Sequence, residues 1–150
     1  KDALLTHDKD DTILTLMQLD KLIEKNFCIL SPAMTLGTML TEGVAKSKRN
    51  LFPVLNEEEA LLGIVLLDDV REFMFDSTLH ETVYVRSLMH SPPNAIHYEK
   101  DNMKVIMRKF QDSSAWNLPV LKEGKFLGFV SKSKLLSVYR RELIRVSDPL

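Results

Sequence analysis

The sequence contains nearly the same segment twice, and this internal repeat constrains the fold more than any other feature. Residues 51–70 read LFPVLNEEEALLGIVLLDDV, and residues 117–135 read NLPVLKEGKFLGFVSKSKL. Pro53 and Pro119 lie 66 positions apart, whereas Gly63 and Gly128 lie 65 apart, because the first copy has a polar turn one residue longer. Loops tolerate such changes in length. The repeat predicts two similar units, and both prolines are expected at strand starts because proline cannot donate to a central ladder.

Each copy predicts the same succession of elements. A short apolar stretch precedes a helix whose apolar residues recur at i, i+3, i+4 and i+7, with Thr35 or Asp101 at the N-cap position. Two β runs and a closing helix follow. The predicted ranges are 27–30 and 94–98 for the first strand, and 68–75 and 133–143 for the closing helix. This order predicts an α+β fold in which the two copies pack about a pseudo-twofold axis, because each three-stranded sheet leaves an apolar face uncovered.

Composition and length are those of an ordinary globular domain. The chain has 150 residues, of which 45% are hydrophobic and 27% charged, and its formal net charge is −1. This balance gives no general attraction to nucleic acid. The longest run of apolar residues and glycine, 60–67, is far shorter than the ~20 residues of a membrane helix. The chain is therefore not expected to span a membrane itself, which leaves open that it is part of a protein that does.

The residue patterns of common catalytic and metal sites are missing from the sequence. The four histidines lack zinc-site spacing, and neither a dinucleotide fingerprint nor a phosphate-binding P-loop motif occurs. The single cysteine, Cys28, lies in the apolar stretch FCIL and is expected to be a buried, unreactive thiol. We therefore expect no catalytic residue and no metal site, and the chain is not expected to be an enzyme.

The repeated pattern resembles a known family. The h-P-V string followed by G-h-h and an acid or its equivalent is similar to the CBS domain, which occurs in tandem pairs called Bateman modules. NLFPVL with GIVLLDDVR, and AWNLPVL with GKFLGFVSKS, resemble the cytoplasmic CBS pair of bacterial CLC-type chloride channels. The predicted bounds are 1–20 for a lead-in segment, 21–76 for CBS repeat 1, 77–84 for a linker, 85–144 for CBS repeat 2 and 145–150 for a tail.

This resemblance implies a cytoplasmic regulatory domain of a CLC-type voltage-gated chloride channel or chloride/proton exchanger. Its partners would be the membrane-embedded channel domain of the same chain and a second copy, in a homodimer through the CBS pairs. Its location would be the cytoplasmic face of the cell membrane, and no nucleic acid is expected as a partner. The outer helix residues Leu135, Leu136, Tyr139 and Leu143 are the expected dimer surface. The alternative is a CBS pair that regulates a soluble enzyme or a cation transporter.

The resemblance also implies a regulatory adenine nucleotide, ATP, ADP or AMP, and no required cofactor. In the family motif G-h-x-[ST]-x-x-[DN], the hydroxyl binds phosphate and the acid binds ribose. The first copy has Leu66 and Asp69 at these places, and the second has Ser131 and Lys134. The nucleotide-binding residues predicted from the resemblance are Phe52, Pro53, Asp69, Trp116, Pro119, Ser131 and Lys134. The cleft served by Asp69 is the better candidate; the alternative is that both clefts are empty and the domain is a dimerisation scaffold.

Basic residues cluster in two parts of the sequence. The first cluster is Lys46, Lys48 and Arg49, and the second is Lys132, Lys134, Arg140 and Arg141. Such clusters are usually solvated helix faces; the functional interpretation is a phosphate-facing patch at the ends of the β-strands.

Overall fold

The computed structural model describes residues 2–92 and 94–147, with side chains from residue 9 onward. The α+β fold is confirmed, and the chain divides into two compact units. Unit 1 comprises the described parts of residues 1–24, 93–123 and 127–150, and unit 2 comprises residues 25–92 and 124–126. The repeat boundaries predicted from the sequence stay a prediction.

Unit 2 contains the first copy of the repeat. Its regular elements are α2 (Leu36–Thr38), β1 (Leu51–Leu55), β2 (Leu61–Leu66), α3 (Leu67–Met74) and α4 (Val85–Leu88). The helix after Thr35 starts as α2 but continues with wider turns over Met39–Gly43 and tighter turns over Val44–Lys46. Strands β1 and β2 pair antiparallel, and their inward residues form a core with α2 and α3 around Phe52, Val54 and Val70.

Unit 1 contains the second copy together with the N-terminal helix. Its elements are α1 (Asp2–Leu16), β3 (Ile96–His97), α5 (Met103–Ser113), β4 (Asn117–Lys122), β5 (Lys125–Ser131, which begins with two residues assigned to unit 2) and α6 (Lys132–Ser147). The sheet order is β3-β4-β5. Ile13, Leu14 and Met17 from α1 and its C-terminal end join Ile106, Phe110 and Leu118 in the core. Leu135, which the sequence placed on an outer helix face, is fully buried in this core.

Within the described part of the chain, no helix has the length and hydrophobicity needed to cross a membrane.

Both prolines lie inside strands, not at their starts, but each limits a parallel ladder. The Leu30 N–H donates to the Pro53 carbonyl at 2.8 Å, and the Leu55 N–H donates to the Leu30 carbonyl at 3.0 Å. The next bond towards the N-terminus would need the N–H that Pro53 lacks. Consequently the predicted strand at 27–30 is reduced to a single bridge between Leu30 and Val54. In unit 1 the parallel pairing starts at Val120, directly after Pro119.

The segment before each repeat pairs with a strand across a glycine. Glu24 bridges Phe129 in unit 1, and His90 bridges Ile64 in unit 2, at matching positions of the two copies. A Cβ on Gly128 would lie 2.4 Å from the Glu24 carbonyl oxygen. A Cβ on Gly63 would lie 3.1 Å from the His90 carbonyl oxygen. The repeated glycines are therefore explained by close approach of the backbone of the crossing segment.

The helix caps agree with the sequence in one copy and differ in the other. In unit 2 the Thr35 hydroxyl accepts the Thr38 N–H at 3.2 Å, so the predicted N-cap is confirmed. In unit 1 the cap is Asn102, whose side chain accepts the Val105 N–H at 2.9 Å. The prediction for Asp101 was wrong because its carboxylate instead accepts the His97 N–H at 2.8 Å and a bond from Lys109.

Candidate functional site

Asp69 lies in the first turn of α3, where a carboxylate is favoured by the helix dipole. Its Oδ2 lies 3.0 Å from Nε2 of His90, and both side chains are about half exposed. The His90 backbone is held against β2 by two hydrogen bonds with Ile64, at 2.9 and 3.0 Å. The imidazole is therefore positioned by the sheet next to the acid that the sequence assigned to a ribose.

A basic cavity of about 380 Å³ lies in the same unit. Its lining residues are Asn26, Phe27, Cys28, Lys46, Ser47, Lys48 and Arg49. The Arg49 guanidinium lies 4.4 Å from the centre of the Phe27 ring, and its Nε donates to the Asn26 carbonyl at 3.1 Å. Lys46 forms an exposed ion pair with Glu42, and Lys48 is exposed. The first basic cluster of the sequence is therefore gathered around a cavity.

One hydrogen bond joins the basic segment to the helix that carries Asp69. The Leu67 N–H, at the start of α3, donates to the Asn50 carbonyl at 2.9 Å. Arg49 directly precedes Asn50 in the chain, and Asp69 follows Leu67 by two residues. The basic segment and the acidic helix start are thus fixed beside each other in unit 2.

Phe52 and Pro53 belong to the interior of unit 2. The Phe52 side chain is fully buried and packs in the core, and Pro53 is buried within β1. The Phe52 side chain is therefore not available to a ligand in this structure. Phe52 therefore offers no exposed aromatic surface against which a nucleotide base could stack.

The other four predicted residues lie in unit 1. The Ser131 hydroxyl accepts the Lys134 N–H at 3.1 Å and so caps α6, while its own proton can still be donated. Trp116 is 73% exposed, and the Lys132 ammonium lies 5.5 Å from its ring centre. The Lys132 N–H also donates to the Trp116 carbonyl at 2.8 Å, whereas Pro119 is buried in β4. Trp116, Ser131 and Lys132 are therefore brought together at the start of α6, and Lys134 lies in the first turn of that helix.

The two helix starts are equivalent in backbone but opposite in chemistry. The Leu67 bond to Asn50 and the Lys132 bond to Trp116 occupy the same place in the two copies. The first turn of the helix carries Asp69 in unit 2 and Lys134 at the matching position in unit 1. The seven predicted residues therefore fall into two groups, one in each unit.

Asp101 and Lys109 form a nearly buried charge network in unit 1. Its carboxylate lies 2.6 Å from the Lys109 ammonium, and that ammonium also donates to the Ala95 carbonyl at 2.7 Å. Burial raises the pKa of Asp101, but the His97 N–H and the Lys109 ammonium outweigh it and hold the pKa below its usual value. The network fixes the loop between β3 and α5.

Sequence reasoning missed His90 as part of the Asp69 site and assigned Arg49 only to a general basic cluster. His90 is 21 residues from Asp69, and no spacing rule links the two. The available signal was the repeat itself: His90 is the counterpart of Glu24, the residue that crosses Gly128. For Arg49, the signal was the basic cluster immediately before the first h-P-V string.

Comparison with known proteins identifies the fold. Residues 85–141 match the family model of the CBS domain. The chain is similar to CbpB in complex with c-di-AMP, at 17% identity and a TM-score of 0.72, covering 95% of this chain and 97% of that one. It is similar to a CBS domain protein from Streptococcus pneumoniae, at 15% identity and a TM-score of 0.73, covering 95% and 99%.

A third similar structure is the cytosolic domain of the Mg²⁺ channel MgtE in complex with ATP. The identity is 18% and the TM-score 0.65, with 81% of this chain and 48% of that chain covered. No curated protein matches the chain. The chain therefore has the fold of these CBS-domain proteins, and its sequence match to the CBS family model covers residues 85–141.

Proposed function

We propose that this chain is a non-catalytic regulatory domain that binds an adenine nucleotide in unit 2. The carrying observation is the hydrogen bond between Leu67 and Asn50, which fixes a cavity lined by cations beside a helix start with an acid in its first turn. Two proteins of the same fold support a nucleotide ligand, because one is in complex with c-di-AMP and another with ATP.

The two sides of the site match the two ends of a nucleotide. Arg49 and Lys48 supply positive charge for phosphate oxygens, and a guanidinium can form two parallel hydrogen bonds with them. Asp69 is an acceptor that can take both hydroxyls of a ribose. This division replaces the phosphate-binding hydroxyl that the motif lacks at Leu66.

His90 sets a condition on binding at Asp69. A ribose that uses both carboxylate oxygens must replace the bond between Asp69 and His90. Because both side chains are about half exposed, that contact contributes at most ~1 kcal/mol, and a ribose can displace it. The ribose then bonds an acid whose position is set by α3.

Calorimetry with ATP, ADP, AMP and c-di-AMP tests the proposal. Asp69→Asn and Arg49→Gln should each remove one charge-assisted contact of roughly 1.5–3 kcal/mol. This loss weakens binding about 10–150-fold, at 1.4 kcal/mol per decade. Ser131→Ala and Lys134→Gln, the matched changes in unit 1, should leave the affinity unchanged.

Two results would contradict this assignment. Binding that survives Asp69→Asn and Arg49→Gln but is lost in Ser131→Ala and Lys134→Gln would move the ligand to the start of α6. An absence of heat for every nucleotide at millimolar concentration would favour the alternative that the domain is a dimerisation and coupling scaffold.

The regulated protein is the second part of the proposal. The sequence resemblance supports a CLC-type chloride channel or exchanger, with this domain at the cytoplasmic face of the membrane. The similarity in fold to the cytosolic domain of MgtE favours the alternative of a cation transporter. Flux of chloride and of Mg²⁺ through the full-length protein in liposomes, with and without nucleotide, distinguishes the two. A catalytic domain in the full-length protein, in place of hydrophobic stretches of ~20 residues, would overturn both.

A further inference from the structure

An apolar groove with an acidic rim lies on unit 2, apart from the basic cavity. The groove has a volume of about 500 Å³. Its apolar lining includes Ile29, Ala33, Met34 and Leu55, and its rim includes Glu57 and Glu59. Ile29 is 53% exposed although it is a large aliphatic residue, so the groove presents apolar surface to water.

The acidic rim is held in place by the turn between β1 and β2. The Asn56 side chain accepts the N–H groups of Glu58 and Ala60, both at 2.9 Å. Glu59 is paired with Lys125 at 3.5 Å, whereas Glu57 and Glu58 have no ion-pair partner within the described residues. The groove therefore combines an apolar floor with the uncompensated charge of Glu57 at its rim, and Glu58, the next residue of the same fixed turn, adds a second.

The second copy shows that the fold does not require this groove. The counterparts of Pro32 and Asn56, 66 positions later, are Tyr98 and Lys122. The Tyr98 hydroxyl donates to Asp20 at 2.7 Å, and the Lys122 ammonium lies 4.7 Å from the Tyr98 ring centre. Unit 1 thus places an aromatic ring and a cation at the positions where unit 2 leaves an apolar depression.

Helix α6 presents the complementary chemistry. It continues to Ser147, whereas the counterpart of Met74, the last residue of α3, is Tyr139. The added two turns carry Arg140, Arg141 and Ile144, and Ile144 is 64% exposed. Neither arginine has an ion-pair partner among the residues that the structure describes, since Glu142 is paired with Arg145.

We propose that the groove of unit 2 binds helix α6 of a second copy of this chain. Ile144 would enter the apolar floor, and Arg140 and Arg141 would face Glu57 and Glu58. The proposal follows from charge complementarity between two exposed surfaces, each of which combines apolar side chains with uncompensated charge of one sign. It is independent of nucleotide binding, because it uses none of the residues of the basic cavity.

Sedimentation of charge-reversed variants tests the contact. Wild type is expected to self-associate, more weakly as salt screens the rim charges. The paired change Glu57→Lys with Glu58→Lys, and the paired change Arg140→Glu with Arg141→Glu, should each weaken association at least tenfold. Glu72→Lys with Glu81→Lys reverses two exposed glutamates elsewhere in unit 2 and should have no effect. All variants are first compared by circular dichroism.

Mixing the two charge-reversed variants, or combining all four changes in one chain, provides the decisive result. Each restores opposite charges across the proposed contact, so association should return to within a few-fold of wild type. A wild-type chain that is monomeric at high concentration overturns the proposal. The proposal is also overturned if the paired arginine change abolishes association while the paired glutamate change leaves it intact, because α6 then contacts another surface. A chain with all four changes that stays dissociated overturns it as well.

Discussion

Replacement of Gly128 by alanine should destabilise the protein far more than replacement of Gly63, although the two glycines are counterparts in the repeat. A methyl group on Gly128 would lie 2.4 Å from the Glu24 carbonyl oxygen and 2.8 Å from Cγ2 of Ile23. Backbone must therefore move. On Gly63 the nearest atom would be Sδ of Met89 at 3.0 Å, on a flexible side chain that can turn away, and the His90 carbonyl oxygen at 3.1 Å would need to shift much less than that of Glu24.

The magnitude follows from what must be displaced. Moving Glu24 away from β5 breaks its two hydrogen bonds with Phe129, at 2.8 and 2.9 Å. Each contributes ~0.5–1.5 kcal/mol, and forced overpacking costs a further ~1–3 kcal/mol. Alanine recovers ~0.4–1 kcal/mol by restricting the unfolded chain. We therefore expect Gly128→Ala to lower the free energy of unfolding by about 2–5 kcal/mol, and Gly63→Ala by about 1 kcal/mol or less.

Urea and thermal unfolding, each followed by circular dichroism, measure both variants against wild type. For a chain of this length, about 2–5 kcal/mol corresponds to a decrease in Tm of roughly 5–15 °C. Equal destabilisation by the two alanines, or a larger effect at Gly63, would refute the close-approach explanation of the repeated glycines. In that case the glycines would have to be explained by another feature of the motif.

Two further changes test the local structure of unit 1. Asp101→Ala should lower stability by about 1.5–3 kcal/mol at pH 7, because it leaves the Lys109 ammonium without its carboxylate. The pKa of Asp101 is lowered in the folded state. Its contribution to the free energy of unfolding is therefore present above the unfolded pKa of about 3.9 and is lost as pH falls through the lower folded-state pKa. Wild type and variant should consequently converge in acid unfolding. Ser131→Ala should cost ~1 kcal/mol by removing the cap of α6, and Ser131→Asp should restore it. An alanine variant as stable as wild type in urea would show that the Lys134 N–H is satisfied without Ser131.

The element order was predictable from the sequence because the repeat and the hydrophobic spacing act locally. The strands around Pro53 and Pro119 and the cap at Thr35 needed only neighbouring residues. The apolar stretch at 27–30 did not reveal that its parallel pairing would be limited to one bridge at Leu30. That limit is set by Pro53, 23 residues later, which lacks the N–H that the next hydrogen bond would need. Likewise, Asn102 replaced Asp101 as the cap because Lys109, two turns further along α5, binds the carboxylate.

The candidate site was predictable only at the positions that the motif defines. Asp69, Ser131 and Lys134 do lie in the first turns of helices or directly before them. The motif says nothing about burial, so the core location of Phe52 could not be read from it. The contact between Asp69 and His90 depends on the register of the crossing segment against β2, which no local pattern encodes.

The pairing of Glu24 with Phe129 has a consequence for the order in which the chain can fold during synthesis. Apart from residues 124–126, unit 2 is contiguous from 25 to 92, so its sheet and core can form once that stretch has emerged. Unit 1 joins residues that precede position 25 to the second copy, which follows unit 2 in the chain. Ile13, Leu14 and Met17 therefore stay unburied until the second copy, up to Leu135, has been translated. Such long-range closure is slow and leaves apolar surface open to aggregation, so the apolar side of α1 is a segment that a chaperone would protect during synthesis.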